Sequence, residues 1–330
     1  MIERIARIFG LALAVGCLLF GQQGKLAGPV AGFVFDGSSR ALRPIQGIPG
    51  ASLLGDPVNL GVDLTSAYVS PRQDSAFVVA ADNSLHFFRM ASTGPAETIL
   101  GGANLVPLRV VFSPSGTSAA LVAGGNVQVF TGLPSAPVLS GTVELSLGRA
   151  AVGRISATPV QRRAAAESLT LSDDGTYLLH VAAGSVWLAS THGENRRLLP
   201  ADVDALVAFA AGAHDAALLD RTGLSLVHDV AGSASQERLA PPDDNFGGSV
   251  GLAFSQDGRI LYVANATAHG VVAFDLAAAS HSSIECDCTP STLVSMGKLF
   301  RLNDVGSAPL WLLDTGNAVP RIVFVPARAE

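Results

Sequence analysis

Two closely spaced cysteines are the residues of this sequence best suited to chemistry. The segment that begins at His281 reads His-Ser-Ser-Ile-Glu-Cys-Asp-Cys-Thr-Pro and contains Cys286 and Cys288. In an oxidising compartment the two thiols could form a local disulfide, and two free thiols are the second option. A metal or redox site that adds His281, Glu285 or Asp287 is the third, although structural zinc sites use wider cysteine spacings. We expect a disulfide that fixes a chain crossover, and the alternatives stay open.

The other chemistry-bearing residues form no recognisable catalytic motif. The seven histidines are scattered, without His-Glu-x-x-His spacing, at positions 86, 180, 192, 214, 228, 269 and 281. The Ser-Asp-Asp-Gly of residues 172–175 is typical of a tight turn rather than of a catalytic acid pair. No Gly-x-Ser-x-Gly elbow, P-loop or dinucleotide fingerprint stands in a fitting context. The sequence therefore predicts no catalytic residue, no metal site and no cofactor.

The composition describes an apolar and weakly acidic chain. Of its 330 residues, 48% are hydrophobic and 15% are charged, and the formal net charge is −6. A disordered chain needs lower hydrophobicity and more charge, and a coiled coil needs charged heptads. The lack of a basic block argues against a nucleic-acid partner.

The N-terminus is typical of an export signal. Arg4 and Arg7 precede the uncharged run Ile8–Phe20, and Gly-Gln-Gln-Gly follows. Such a run is shorter than the roughly 20 residues of a membrane span but fits a signal peptide. We predict that residues 1–24 are a signal peptide and that the protein is secreted or periplasmic. Cys17, in Ala-Val-Gly-Cys, loosely resembles a lipobox, so a lipid anchor at the cell envelope is the less favoured alternative.

A sequence unit recurs along the rest of the chain. Its clearest copy begins at Leu252 and reads Leu-Ala-Phe-Ser-Gln-Asp-Gly-Arg-Ile-Leu-Tyr-Val-Ala-Asn. Two further copies begin at Val110 and Leu169, and weaker copies begin at Ala67, Val207 and Phe300. The serine before the turn, or its equivalent, falls at positions 70, 113, 172, 210, 255 and 303. Each copy predicts an apolar strand, a turn, a second strand, a polar loop, a third strand and a looser fourth segment.

Antiparallel strands repeated at about 40–50 residues are typical of a β-propeller. We predict an all-β fold over residues 25–330, a single propeller of six to seven four-stranded blades with a surface insertion at about 146–166. Residues 30–48 contain two more strands that resemble the outer half of a blade. We expect these N-terminal strands to complete the last blade and close the ring. A two-sheet sandwich is the alternative, but its strands would alternate more clearly.

One blade carries a family resemblance. Leu261-Tyr-Val-Ala-Asn265, followed after five residues by Val271-Val-Ala-Phe-Asp275, resembles the YVTN-type repeat of the WD40-like propellers. The resemblance extends only loosely over residues 65–326. It implies a propeller that has seven blades in many members, with relatives that include lactonases, quinoprotein dehydrogenase-like proteins and non-catalytic binding modules. Because one fold serves all of these, the resemblance does not choose among them.

The candidate binding residues follow from the expected propeller geometry. Loops between second and third strands should share one rim with the linkers between blades. We expect this rim to carry Asp82, Asn83, Asn126, Arg221, Asn265, His269, Asp314 and Asn317. Aspartate and asparagine are also frequent in turns for conformational reasons, so each has a turn explanation beside ligand contact. Asn265 begins a glycosylation sequon, which matters only in a eukaryotic secretory pathway.

Three classes of function are consistent with the sequence. The missing catalytic motif favours an exported, non-enzymatic propeller that binds a protein, peptide or glycan through its rim loops. A lactonase-like hydrolase is the first alternative, and it requires carboxylates or histidines that converge at the channel mouth. A cell-envelope assembly component is the second alternative.

Overall fold

The computed structural model describes residues 28–91, 94–145, 169–241 and 246–327. These residues form 27 β-strands and no α-helix, in seven antiparallel sheets. Six sheets have four strands and the first has three, and within each sheet the strands lie in chain order. The sheets are the blades of a seven-bladed β-propeller. The prediction of an all-β propeller is confirmed, and the number of blades is seven.

The blades follow one another along the chain. Blade one contains β1 (Val30–Asp36), β2 (Ala41–Ile48) and β3 (Ala51–Leu54). Blade two contains β4 (Leu64–Val69), β5 (Ser75–Ala80), β6 (Leu85–Ala91) and β7 (Gly94–Thr98). Blade three contains β8 (Arg109–Phe112), β9 (Ser118–Ala123), β10 (Asn126–Thr131) and β11 (Val138–Glu144). Blade four contains β12 (Leu169–Leu171), β13 (Tyr177–Ala182), β14 (Ser185–Ser190) and β15 (Asn195–Pro200). Blade five contains β16 (Leu206–Phe209), β17 (Ala216–Asp220), β18 (Gly223–His228) and β19 (Ser235–Ala240). Blade six contains β20 (Ser249–Phe254), β21 (Ile260–Asn265), β22 (Gly270–Asp275) and β23 (Ser280–Glu285). Blade seven contains β24 (Val294–Met296), β25 (Leu299–Arg301), β26 (Leu310–Asp314) and β27 (Arg321–Val325).

The first strand of each blade lies at the centre of the ring. Neighbouring first strands contact each other, as β1 does with β4 and β16 with β20. The second strands are buried on both faces, and all six residues of β5 are buried. The fourth strands are exposed, as in β19. Burial between adjacent blades explains why the middle strands are continuously apolar instead of alternating.

A recurring turn joins the first and second strands of several blades. In the third blade the Ser113 amide donates to Ser118 O at 3.0 Å, and the Gly116 amide donates to Ser113 O at 2.9 Å. Gly116 has φ +71°, and the equivalent Gly175 and Gly258 have φ +69° and +71°. Such values favour glycine, which lacks the Cβ that would clash. The turn therefore favours the Ser-x-x-Gly spacing of blades three, four and six, and in blade two Gln73 takes the glycine position at φ +62°.

The N-terminal strands close the ring in a different way from the one expected. β1, β2 and β3 form a blade of their own, with β1 innermost, and the last blade has four strands without them. Val34 and Ile45 of this first blade share a buried cluster with Leu310 and Val323 of the last. The expectation that these strands complete the last blade is wrong, because residues 294–301 already supply its two inner strands.

The strand order predicted for the last blade is wrong by one strand. Phe300 lies in the second strand, β25, and not in the first. Asn303 therefore lies in the loop between β25 and β26, whereas Ser113 and Ser172 lie between first and second strands. The two inner strands have three residues each and are joined by Gly297-Lys298, so they read in the sequence as a single strand.

Several expectations fall outside the described residues. The signal peptide (1–24), Cys17 and the insertion at 146–166 are among them. Within the residues that the structure does describe, there is no helix of the length and apolarity that crossing a membrane requires.

Candidate functional site

The seven first strands surround a central cavity of about 650 Å³. Its wall is mainly apolar and includes Phe33 of β1, Val110 and Val111 of β8, and Leu252 and Ala253 of β20. These side chains are only half-buried because the centre of the ring lacks a packing partner for them. The channel is therefore a preformed apolar pocket, the usual character of a ligand site.

The channel opens on two rims. The linker rim consists of the loops between second and third strands and the linkers between blades: 49–50, 59–63, 81–84, 99–108, 124–125, 183–184, 201–205, 221–222, 246–248, 266–269, 286–293 and 302–309. Residues 55–58, which follow the three-stranded first blade, instead run beside β2, where the Val58 amide donates to Leu42 O. The hairpin rim consists of the loops between first and second and between third and fourth strands: 37–40, 70–74, 113–117, 132–137, 172–176, 191–194, 210–215, 229–234, 255–259, 276–279, 297–298 and 315–320.

Polar groups lie near the two ends of the channel and have protein partners. At the linker rim Arg301 Nη1 pairs with Asp304 Oδ1 at 3.0 Å, and Arg109 Nη2 donates to Leu169 O at 3.3 Å. At the hairpin rim Gln73 Oε1 accepts from the Phe33 amide at 2.6 Å. Among the described lining residues Asp304 is the only carboxylate. The channel thus combines apolar walls with charged groups that are already paired.

Six of the eight rim residues that the sequence singled out lie on or beside the linker rim. They are Asp82, Asn83, Asn126, Arg221, Asn265 and His269, and they belong to four different blades. Asp314 and Asn317 instead lie at the loop between β26 and β27, on the hairpin rim, so their placement was wrong. The one-strand slip in the last blade causes this error, because successive loops alternate between rims. None of the eight residues lines the cavity.

Turn geometry accounts for several of these residues. Asp82 Oδ1 accepts from the Ser84 amide at 2.9 Å, and Asn83 and His269 have φ +66° and +50°. Asn265 Oδ1 accepts from the amides of residues 267 and 268 at 2.8 and 2.9 Å. Asn265 is only 1% exposed, so its side chain cannot take a glycan while the blade is folded. Ligand contact by these residues stays a prediction.

Asp314, Asn317 and Arg221 also have partners within the protein. Asp314 Oδ2 accepts from Asn317 Nδ2 at 2.8 Å and from Arg321 Nε at 3.3 Å. The exposed Arg221 lies 3.8 Å from both Asp202 and Asp204. These contacts tie neighbouring loops together.

The cysteine segment is part of the linker between β23 and β24. Cys286 and Cys288 form a disulfide with their Cα atoms 5.0 Å apart. The Cys286 amide donates to His269 O at 2.9 Å, and His269 Nδ1 lies 2.9 Å from Cys288 O. The linker is thus fixed to the neighbouring loop of blade six. In the described part of the chain no three His, Cys, Asp or Glu side chains are grouped so that they could hold a metal ion.

Asp173 has a role that the sequence did not reveal. Its Oδ1 accepts from the Ser115 amide at 2.8 Å and from Ser115 Oγ at 2.6 Å. Its Oδ2 accepts from the Gly212 amide at 2.7 Å. One carboxylate therefore joins the hairpins of blades three, four and five. The doubled aspartate of the 172–175 turn is the available signal, since one aspartate suffices for the turn itself.

His180 is buried without a polar partner. It lies in β13, is 2% exposed, and has no hydrogen-bond partner at either ring nitrogen. Burial lowers the pKa of His180 to about 4. It does not line the channel, so the neutral imidazole is a packing residue rather than a base for the channel.

Comparisons with known proteins establish the fold. No protein-family model matches this sequence, and no curated protein is significantly similar to it. A functionally unknown protein from Desulfotomaculum acetoxidans is 12% identical with a TM-score of 0.54, covering 90% of this chain and all 100% of that one. Two Bacteroides proteins are described as candidate 6-phosphogluconolactonases. The Bacteroides uniformis protein has 14% identity, TM-score 0.55 and coverage of 89% and 95%. The Bacteroides fragilis protein has 16% identity, TM-score 0.52 and coverage of 90% and 94%.

At these identities the similarity supports a shared propeller fold and nothing finer. The resemblance to YVTN-type proteins is confirmed to the same extent, as a β-propeller.

Proposed function

We propose that this chain is an exported YVTN-type propeller whose central channel and linker rim act as a binding platform without catalysing a reaction. A partner docks on the linker rim and places an apolar group in the central channel. The observation that carries this proposal is the distribution of exposed apolar side chains. The described residues include eleven exposed large hydrophobic side chains. Seven of them lie on or beside the linker rim: Val30, Ile48, Ile99, Val106, Leu108, Val203 and Val294.

Single exposed apolar residues are ordinary, but a group around a channel mouth is typical of a binding surface. Leu108 is 79% exposed and Val294 is 36% exposed, and both also line the channel. Burial of such a side chain contributes about 1.5–3 kcal/mol. A polypeptide partner, which can present several apolar side chains, therefore fits the rim better than a glycan.

Hydrolysis of a lactone in the channel is the second candidate. Arg72, Arg109 and Arg301 line the channel, and arginines suit a phosphate-bearing substrate. Two structural neighbours are described as candidate 6-phosphogluconolactonases. However, hydrolysis also requires a base or a metal-bound water. Asp304, the single carboxylate among the described residues that line the channel, is already paired with Arg301, and for this reason we favour binding over hydrolysis.

The test measures binding of the apolar dye 8-anilinonaphthalene-1-sulfonate to the purified protein. Ala253→Trp fills the channel from β20. Ala278→Trp places the same side chain in the exposed loop after β22 of the same blade. We expect dye affinity to fall at least tenfold for the first variant and to stay within twofold for the second. Equal unfolding midpoints in urea show that both variants are folded.

The rim is tested by a second matched pair. Leu108 and Val319 are 79% and 76% exposed, but Val319 lies on the hairpin rim. Leu108→Ser should weaken dye binding several-fold and Val319→Ser should not. Binding that neither Ala253→Trp nor Leu108→Ser reduces would overturn the platform. Acid release from 6-phosphogluconolactone above the spontaneous rate, lost in Arg109→Ala, would establish the hydrolase instead.

A further inference from the structure

Three side chains at the linker-rim end of blade two have the geometry of a nucleophile, a base and an orienting carboxylate. Ser84 Oγ lies 2.7 Å from His86 Nε2, and His86 Nδ1 lies 2.7 Å from Glu97 Oε1. The same atoms meet in the same order in Ser-His-acid hydrolases on unrelated folds. We propose that Ser84, His86 and Glu97 form a hydrolytic site for small, activated carboxylic esters. None of them lines the channel, so this site goes beyond the binding function proposed above.

The blade holds these side chains in place by simple strand geometry. Ser84 ends the loop before β6 and His86 follows two residues later, so both side chains lie on one face of the strand. Glu97 lies on β7 opposite Phe88, which is two residues after His86, so Glu97 and His86 are diagonal neighbours on one face of the sheet. The His86 ring stacks on Phe88 with centroids 6.1 Å apart, and Phe88 is only 4% exposed. A buried ring thus supports the base.

The hydrogen bonds determine the useful tautomer of His86. A carboxylate accepts hydrogen bonds, so Nδ1–H donates to Glu97 and the lone pair of Nε2 faces the Ser84 hydroxyl. Asp82 is a second acceptor for that hydroxyl and for the Ser84 amide. These bonds from Ser84 hold the pKa of Asp82 below its usual range, so Asp82 is anionic at neutral pH. The Ser84 hydroxyl turns from Asp82 to His86 when it is activated.

The reaction that this arrangement supports is two-step ester hydrolysis. Ser84 Oγ attacks the carbonyl carbon while its proton passes to His86 Nε2. The C–O bond of the ester breaks, the alcohol leaves with that proton, and an acyl group stays on Ser84. Water then attacks the acyl carbon and gives its proton to His86. The Ser84–acyl bond breaks, Ser84 Oγ takes the proton back, and the products are one acid and one alcohol.

The surroundings restrict the substrate class. The side chains of His86 and Glu97 are 19% and 55% exposed, so water reaches the site and solvates the oxyanion. Esters with good leaving groups need the least additional stabilisation from the protein. The negative charges of Asp82 and Glu97 disfavour anionic substrates. The site therefore fits neutral or cationic esters and not a phosphorylated sugar lactone.

The first experiment measures hydrolysis of p-nitrophenyl acetate by the purified full-length protein at pH 7.5. We expect kcat/KM to fall at least tenfold in Ser84→Ala and in His86→Ala, since a general base contributes about 10²–10⁴-fold in a closed site and less in an open one. His228 is the matched control, because its ring nitrogens lie 3.0 and 3.2 Å from Asp215 and Glu237 without a serine. His228→Ala should stay within twofold of the unsubstituted protein.

Glu97 is a positioning residue and has its own readout. Glu97→Ala should lower kcat several-fold with KM unchanged, because the carboxylate does not contact the ester. Glu97→Gln should recover part of the loss, because the amide oxygen still accepts from Nδ1–H.

A covalent probe separates this mechanism from general histidine catalysis. A fluorophosphonate should add its mass to the peptide that contains Ser84, and Ser84→Ala should abolish the labelling. Circular dichroism and the urea midpoint establish that each variant is folded. Hydrolysis that persists in folded Ser84→Ala, or labelling on another peptide, would overturn the proposal. Equal loss in His228→Ala and His86→Ala would do the same.

Discussion

Acid should destabilise this protein through His180, and replacing that residue should remove the effect. The imidazole is 2% exposed on β13, where its residue pairs with Leu169 and Trp187, and neither ring nitrogen has a partner. Burial lowers the pKa of His180 to about 4, against 6.5 for the free side chain. The folded state therefore excludes a proton that the unfolded chain accepts. Stability is fully present above pH 6.5 and is lost as the pH falls toward 4.

The size of the effect follows from the difference in pKa. One pKa unit corresponds to about 1.4 kcal/mol, so a difference of about 2.5 units gives an upper limit of roughly 3 kcal/mol. Integrated between pH 7 and pH 5, the same difference removes about 2 kcal/mol. His180→Leu keeps the volume close to that of histidine and removes the titrating group. It also removes two unpaired buried nitrogens, so at pH 7 this variant should be at least as stable as the unsubstituted protein.

The assay is urea unfolding of each protein at pH 7.0 and pH 5.0. The unsubstituted protein should lose about 2 kcal/mol more than His180→Leu between these values. Exposed His192 in the loop after β14 provides the control, and His192→Leu should behave like the unsubstituted protein. The hydrogen bonds that His228 donates to Asp215 and Glu237 raise the pKa of His228, which acts in the opposite direction. That contribution is common to all three proteins and cancels in the differences. Equal losses in His180→Leu and the unsubstituted protein would refute the reasoning.

Other perturbations test how the blades are held together. Asp36→Ala leaves Arg43, paired at 2.9 Å with both side chains at most 10% exposed, without its carboxylate and should cost about 3–5 kcal/mol in urea unfolding. Burial alone would raise the pKa of Asp36, but hydrogen bonds from serines and Arg43 lower it. The stability that Asp36 contributes is therefore lost only below pH 3.8, and a loss at higher pH would contradict this assignment. Asp173→Ala should cost about 2–4 kcal/mol and Asp173→Asn less, measured by thermal unfolding, because the carboxylate accepts from two neighbouring hairpins. Equal losses of stability in Asp173→Ala and Asp173→Asn would contradict the view that the carboxylate of Asp173 joins the hairpins. Cys286→Ser with Cys288→Ser should cost roughly 1.6 kcal/mol in urea, the entropy of closing a three-residue loop; a far larger loss would mean that the disulfide fixes more than its linker.

Blades two to six could be predicted because their defining feature is local. The turn after Ser113 places Gly116 at a positive φ, and similar turns recur at similar intervals with Gly175 and Gly258 in that position and with Gln73 there in blade two. The last blade lacks it, since Gly297-Lys298 joins two three-residue strands and Asn303 lies after the second. The position of Asn303 therefore predicts the strands of the last blade one strand too late. For the same reason the predicted rim of Asp314 and Asn317 is wrong, because consecutive loops of a blade lie on opposite rims.

The first blade could not be assigned because its neighbours are distant in the sequence. Val34 packs with Leu312 and Val325, almost three hundred residues away, and no local pattern encodes that contact. The Ser84 site could not be predicted from the sequence for a related reason. The i, i+2 spacing of Ser84 and His86 is visible, but Glu97 joins them only through the pairing of β6 with β7. Common residue types at common spacings gave no reason to choose these three over the other scattered histidines.

The propeller also explains where polar chemistry can occur in this chain. Second and third strands are buried between blades, and His180 illustrates the cost of a titratable group there, about 3 kcal/mol when it must be protonated. Ser84, His86 and Glu97 instead lie where a loop and a fourth strand meet water. Because water already solvates these groups, removing one should change the free energy of unfolding by less than about 1 kcal/mol. Ser84→Ala should thus lose ester hydrolysis without losing stability, whereas His180→Leu should alter stability without altering hydrolysis. If both variants changed both properties together, the two sites would not be independent, and the assignment of chemistry to the strand ends would be wrong.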